Sequence, residues 1–335
     1  MQQLKHHLVG VLNRTPAMDA FRTARGVRDE YVDPQVRQLR SVVAEMRAGQ
    51  IDVLILGDST TTFFGRDDAD PRRLPEMLQA ELGRDVRLRL VAGAGYHPGL
   101  YAEFVRVLGT LEQRPRAVVV SRAIRTSGRV THVARHPEYG YERSIAALAA
   151  IRDADSRMRA FSRANRRTEA ETAAFHALEV ETRWQQARTI GEFLEKVRGR
   201  RGGAEDIDQQ RALFDYFHGE TFTERHVDRA RLLGERLRAY GVPVVHYWPS
   251  IPWQRGETYF PGEFRAHCEQ NFAVLRPAFD DALGDLGLTA EGPFDTPDDE
   301  FIDAADGSEH WNDKGRARIA KQLAACLHET GALGR

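Results

Sequence analysis

Apolar residues along this chain form short strand-like runs separated by stretches of helical periodicity. Four segments have the length and β-branched content of strands: IDVLIL (51–56), VRLRLV (86–91), RAVVVS (116–121) and PVVHYWPSIP (243–252). Helical spacing of apolar positions marks about 33–48, 74–82, 99–112, 264–283 and the closing segment that begins near 309. The alternation of strand and helix predicts an α/β fold with a doubly wound parallel sheet.

A change of pattern divides the chain further. Residues 141–237 are rich in Arg, Glu and Ala, carry almost no strand pattern and break once, at Gly-Arg-Arg-Gly-Gly (199–203). We interpret this region as a helical insertion in an α/β domain that spans 51–335, preceded by a helical segment at 1–50. The insertion is expected to serve as a lid, a protein-partner surface or a contact in a homo-oligomer.

Composition narrows the classes of partner. The formal net charge is -1, which gives no general attraction to nucleic acid or to an anionic membrane. Apolar runs of about 18 residues, the length that a membrane helix needs, do not occur. The N-terminal sequence has no signal-peptide pattern, and Cys268 and Cys326 are isolated, as in a reducing compartment. We therefore expect a cytoplasmic protein.

The histidine pattern does not favour a metal site. His132 and His136 are four residues apart, which suits two ligands on one helix face. No third ligand is spaced nearby, so a surface or substrate-facing role is the better interpretation. We expect no metal and no cofactor.

The first segment with catalytic potential is Gly57-Asp58-Ser59-Thr60, which follows the strand at 51–56. A serine on a sharp strand-to-helix turn projects its hydroxyl over the sheet edge, and its own backbone N–H can face a developing oxyanion. The alternative is a plain turn with a helix cap, since Asp, Ser and Thr all cap helices well.

Two further segments complete a possible acyl-transfer site. Val91-Ala92-Gly93-Ala94-Gly95 follows the second predicted strand, where glycine lets a backbone N–H approach a tetrahedral intermediate. Near the C-terminus, Glu309-His310-Trp311-Asn312 precedes the last helix. Imidazole titrates in the range that a general base for serine requires.

Taken together, the three segments resemble the SGNH/GDSL hydrolase superfamily, in its acyltransferase-like branch. The resemblance implies a flavodoxin-like three-layer α/β/α sandwich and esterase or acyltransferase activity. It also implies that Ser59 is the nucleophile, that His310 is its base, and that the N–H groups of Ser59, Gly93 and Gly95 form the oxyanion hole. The match follows most of the chain apart from the helical region.

The sequence departs from this family at the third motif. The family supplies an oxyanion-hole asparagine after a strand such as RAVVVS, whereas this chain has Ser121-Arg122-Ala123-Ile124-Arg125. Arg122 or Arg125 either replaces the asparagine or holds a carboxylate or phosphate of the substrate. Ion-paired structural arginines are the alternative of equal weight.

The acid that would orient His310 is the second departure. The family places an aspartate three residues before the histidine, but Gly307 occupies that position. Asp306 lies one residue too early, Asp303 lies further back, and Glu309 is adjacent. Side chains of neighbouring residues in an extended loop point apart, so we favour Asp306.

The functional hypothesis is acyl transfer or ester hydrolysis through an acyl-Ser59 intermediate on a small or carrier-bound acyl substrate. Substrate contacts are assigned to Asp58, Thr60, Arg122, Arg125 and Trp311. The alternative is a catalytically weak protein of the same fold that binds a partner through its helical insertion. A carboxylate or phosphate binder that uses Arg122 and Arg125 is a third possibility.

Overall fold

The computed structural model describes residues 34–65, 68–93, 95–127, 142–156, 214, 217–302 and 309–334. Its helices are α1 (Pro34–Arg47), α2 (Ser59–Thr62), α3 (Leu74–Leu82), α4 (Pro98–Leu108), α5 (Glu142–Ala149), α6 (Glu224–Tyr240), α7 (Trp253–Tyr259), α8 (Phe264–Leu283) and α9 (Asp313–Glu329). Short 3₁₀ turns span Ile124–Ser127, Gly284–Leu286 and Asp298–Glu300. Among these residues, no helix combines the length and the apolar character that a bilayer crossing requires.

The strands form one parallel sheet. They are β1 (Val53–Gly57), β2 (Leu88–Ala92), β3 (Ala117–Ser121), β4 (Val244–Tyr247) and β5 (Gly287–Glu291). Their order in the sheet is β2-β1-β3-β4-β5, and every neighbouring pair is parallel. This confirms the predicted α/β class. The winding reverses between β1 and β3, and ligand sites of such sheets lie outside the carboxyl ends of the strands at that point.

Helices cover both faces of the sheet. Side chains alternate between the faces along a strand, so Leu54 and Leu56 pack in a core with α1, α4 and α6, whereas Val53 and Ile55 pack in a second core with α3 and α9. All five residues of β1 are buried. Burial on both faces explains why β1 and β3 are continuous apolar runs in the sequence.

Sequence patterning missed β5. Its residues, Gly-Leu-Thr-Ala-Glu, include no run of β-branched residues, and most of them are only half-buried at the edge of the sheet. Edge strands lose the two-sided burial that makes a strand conspicuous in a sequence. The signal that predicted β1 and β3 is therefore weak here.

Parts of the two predicted helical regions, 1–50 and 141–237, pack in the core on one face of the sheet. Helix α1 contributes Val36, Leu39 and Met46 to the core that holds Leu54. Helix α6, which contains the predicted insertion boundary at 237, packs against α4 and α8 and connects back to β4. The predicted insertion from 157 to 213 lies outside the described residues.

A buried arginine fixes the start of α9. Arg316 is fully buried, and its guanidinium donates to the carboxylate of Asp68 at 2.7 Å and to the backbone oxygens of Asp70, Arg72 and Trp311 at 2.8–3.0 Å. These bonds join the loop before α3 to the segment that enters α9. One side chain therefore sets the position of the residues next to His310.

We expect Arg316→Ala to destabilise the fold by about 3–5 kcal/mol, because removing one partner of a buried ion pair leaves the other charge uncompensated. Urea unfolding followed by far-ultraviolet circular dichroism measures this loss. Lys321→Ala, an exposed change on the same helix, is the control and should stay within about 0.5 kcal/mol of the wild type. Equal stability of the two variants would contradict the assignment of Arg316 as an anchor.

Candidate active site

The turn after β1 presents Ser59 at the sheet edge. Asp58 is the N-cap of α2, and its carboxylate accepts from the backbone N–H of Thr60 at 2.9 Å and from the Thr60 hydroxyl at 2.6 Å. A Cβ on Gly57 would lie 2.4 Å from the Thr61 hydroxyl oxygen, so glycine lets the helical turn fold back on the strand. Ser59 therefore begins a short helix at the carboxyl end of β1.

Asp58 and Thr60, which were assigned to substrate binding, are both buried and hold this turn together. Below them, the hydroxyls of Thr61 and Tyr247 lie 2.8 Å apart and link the turn to β4. Burial raises the pKa of Tyr247, so its hydroxyl stays protonated. Hydrogen bonds among buried polar side chains therefore hold the turn that carries Ser59 against the sheet.

His310 faces the candidate nucleophile. Its Nε2 lies 3.0 Å from the Ser59 Oγ, within hydrogen-bond distance, across 251 residues of sequence. The backbone at His310 is held in place, because its carbonyl accepts from the Ile302 N–H and Asn312, two residues on, caps α9 through its side chain. The predicted Ser59 and His310 are thus brought together.

An aromatic ring lies on the imidazole. Phe63 stacks on His310 with ring centroids 4.6 Å apart and an interplanar angle of 17°, yet the residue is 43% exposed. Sequence analysis missed this residue. The available signal was its spacing: Phe63 is four residues after Ser59, so the helical turn places both on one side.

Of the three acids considered as partners of His310, Asp303 and Asp306 lie outside the described residues. Glu309 is fully buried, and its Oε2 accepts a hydrogen bond from Arg125 Nε in an ion pair. Burial raises the pKa of Glu309, and the Arg125 charge opposes that rise. The carboxylate of Glu309 is therefore the ion-pair partner of Arg125.

The two candidate arginines have different surroundings. Arg122 is buried between the rings of Trp248 and Phe279, with its Cζ 3.7 and 3.5 Å from the two centroids, and pairs with Asp280 at 3.1 Å. Arg125 instead points along the sheet edge, where its Nη2 lies 3.4 Å from the Ser59 Oγ. Of these two arginines, Arg125 is the one that contacts the candidate nucleophile.

The glycine turn after β2 lies at the same edge, because Ala92 pairs with Gly57 in the sheet. A Cβ on Gly93 would lie 2.4 Å from the ring of Tyr96, and Gly95 has a φ of 70°, a left-handed conformation that favours glycine. Both glycines thus have a conformational reason to be here. Their role as oxyanion donors stays a prediction.

Trp311 lies beneath the histidine loop. It is 1% exposed, and its indole N–H donates to the Thr296 hydroxyl at 3.2 Å. That hydroxyl donates in turn to the buried Glu291, which pairs with Arg318. The ring supports the loop from inside the core, and its predicted contact with substrate stays untested.

Within the described residues, no group of three or more His, Cys, Asp or Glu side chains converges as a metal site would require. The predicted pair His132 and His136 lies outside those residues.

The chain matches no protein-family model, and no curated protein shows significant sequence similarity to it.

Proposed function

We propose that this protein is a serine-dependent acyl-transfer enzyme of the SGNH/GDSL type, acting through an acyl-Ser59 intermediate. The observation that carries the proposal is the 3.0 Å contact between the Ser59 Oγ and His310 Nε2 at the carboxyl edge of a parallel sheet. A hydroxyl within hydrogen-bond reach of an imidazole is the arrangement that activates serine as a nucleophile.

The order of elements supports the assignment to the SGNH fold. Ser59 follows the first strand, the glycine turn follows the second, and His310 precedes the last helix. The switch in winding between β1 and β3 lies beside Ser59, where sheets of this type bind ligands. Residues far apart in sequence thus meet at the position that the fold favours for a site.

In the first half of the proposed reaction, the Ser59 Oγ forms a bond to the acyl carbon while His310 Nε2 takes its proton. The carbonyl electron pair moves onto oxygen, and the backbone N–H groups of Ser59 and Gly93 are proposed to face that charge. The bond to the leaving group then breaks, and His310 returns the proton to it. The product is acyl-Ser59.

In the second half, His310 removes a proton from the acceptor, whose oxygen or nitrogen bonds to the acyl carbon. The bond from that carbon to the Ser59 Oγ then breaks, and His310 returns the proton to Oγ. Water as the acceptor gives an esterase, and an alcohol or amine gives a transferase. Ser59 is partly exposed, so an acyl donor can reach its hydroxyl. The reaction as proposed uses only side chains and backbone groups of the chain.

We expect a fluorophosphonate probe to label Ser59 covalently and the Ser59→Ala variant to remain unlabelled. The phosphorus atom reacts with an activated serine, and serines without a base react far more slowly. Intact mass and peptide mapping detect the adduct. A folded wild-type protein that stays unmodified would contradict the enzyme proposal and favour the partner-binding alternative.

We expect His310→Ala to slow labelling of Ser59 by roughly 10²- to 10⁴-fold, the usual contribution of a general base. His328→Ala, which removes an exposed histidine on α9, is the matched control and should react at the wild-type rate. The rate of adduct formation by mass spectrometry gives both values. Equal rates in the two variants would exclude His310 as the base.

A further inference from the structure

Arg125 is placed by the sheet at the candidate nucleophile. It lies in the 3₁₀ turn Ile124–Ser127, four residues beyond the end of β3. Because β3 is the parallel neighbour of β1, the segments that follow both strands meet at one edge. The side chain of Arg125 is 12% exposed, so solvent screens its charge weakly.

Different parts of the Arg125 guanidinium contact different groups. The Nε donates to Glu309, while Nη2 lies 3.4 Å from the Ser59 Oγ. The ring of Phe217 lies on the same guanidinium, with the Arg125 Cζ 5.2 Å from its centroid. A planar group held at one edge by a carboxylate and on one face by a ring presents its remaining N–H groups in a fixed direction.

We propose that Arg125 is a catalytic residue whose Nη2 donates to the oxyanion, the negatively charged carbonyl oxygen of the acyl group that Ser59 attacks. Glu309 is then the positioning residue that holds Arg125 in place. This inference rests on the proposed function. It adds a charged side-chain donor to the backbone N–H groups assigned above.

The geometry matches what an oxyanion donor requires. The reacting carbonyl oxygen must lie about 3 Å from both the nucleophile and its donors, and Arg125 Nη2 is already 3.4 Å from the Ser59 Oγ. As the bond from Oγ to the acyl carbon forms, the carbonyl electron pair becomes a full negative charge on oxygen. A guanidinium at that position forms a charge-assisted hydrogen bond with the oxyanion.

Glu309 is suited to positioning. It is fully buried, directly precedes His310, and bonds Arg125 through Oε2. One loop therefore delivers both the base and the counter-ion of the arginine. The ion pair offsets the charge of Glu309 inside the protein and leaves Arg125 Nη2 directed at the Ser59 hydroxyl.

The other assigned arginine has no comparable geometry. Arg122 directs its guanidinium to Asp280 between the rings of Trp248 and Phe279. It forms an ion pair with Asp280, and among the described residues it makes no hydrogen bond to Ser59. A role for Arg125 in holding a substrate carboxylate is the alternative that the experiment separates.

The test measures labelling of Ser59 by an uncharged fluorophosphonate and hydrolysis of an uncharged acetate ester of p-nitrophenol. Neither probe carries a carboxylate, so a residue that only binds substrate anions would have no effect on them. We expect Arg125→Ala to lower the maximal labelling rate at saturating probe by about 10²- to 10³-fold, the usual effect of losing one oxyanion donor.

Arg87→Ala is the matched control. Arg87 also pairs with a mostly buried acid, Asp52, but does so at the amino ends of β1 and β2, the sheet edge opposite Ser59. We expect this variant to label at the wild-type rate.

A second variant controls for a loss of folding, because Arg125→Ala leaves the buried Glu309 without its ion-pair partner. The double variant Arg125→Leu with Glu309→Met replaces both charges by apolar groups, a change that buried ion pairs often tolerate. We expect it to unfold cooperatively in urea and to show the same slow labelling. Glu309→Gln should slow the wild-type reaction but have no further effect in the Arg125→Ala background, since the two residues act as one unit.

The outcomes are distinct. A lower maximal rate in both Arg125 variants, with Arg87→Ala unchanged, supports the inference. Wild-type rates in the Arg125 variants, or a loss seen only in the probe concentration for half-maximal rate, overturn it and leave the Ser59–His310 proposal standing. An unlabelled wild type overturns both. An equal effect of Glu309→Gln with and without Arg125 removes Glu309 from its positioning role.

Discussion

The parallel pairing of β1 with β3 is the constraint on which the rest of the site depends. Parallel strands end at a common edge, and the winding reverses between these two, which is where sheets of this type bind ligands beyond the strand ends. Ser59 follows one strand and Arg125 follows the other. Neither residue needs a long loop to reach its neighbour, and short connections keep such contacts well defined.

A second constraint is the cost of placing charge inside the protein. Glu309, Arg122 and Arg316 are all buried, and isolated ions in such surroundings are strongly disfavoured. Each is paired: Glu309 with Arg125, Arg122 with Asp280, and Arg316 with Asp68. The pairs lie at the ends of strands or helices that border the candidate site. Buried ion pairs add little net stability, but a buried charge left without its partner is costly. Each pair therefore favours the arrangement in which its two segments lie together.

The sequence predicted the parts of the fold that are buried on both faces of the sheet. The continuous apolar runs of β1 and β3 indicated the sheet class. The motifs that follow β1 and precede α9 singled out Ser59 and His310, through their resemblance to a known family. β5 was missed because a half-exposed edge strand has little patterning. Spacing placed Arg122 and Arg125 equally well after β3. Their tertiary contacts separate them: Trp248 and Phe279 enclose Arg122, whereas Arg125 lies against Ser59.

Glu309 shows a different limit of sequence reasoning. Its neighbouring position was a sound argument against contact with the His310 ring, and the structure directs it to Arg125. The partner is 184 residues away in sequence, so no local pattern indicates it. Long-range polar pairs of this kind depend on how loops meet, which periodicity does not encode.

The bonds of Arg316 have a consequence for motion. They tie the entry to α9 to the loop at 68–73, which leads on from the turn that carries Ser59 and Phe63. Local opening of one segment must break the bonds that hold the other, so the two belong to a single cooperative unit rather than to separately melting parts. Backbone amide hydrogens near Ser59 and near His310 should accordingly exchange with the same opening free energy.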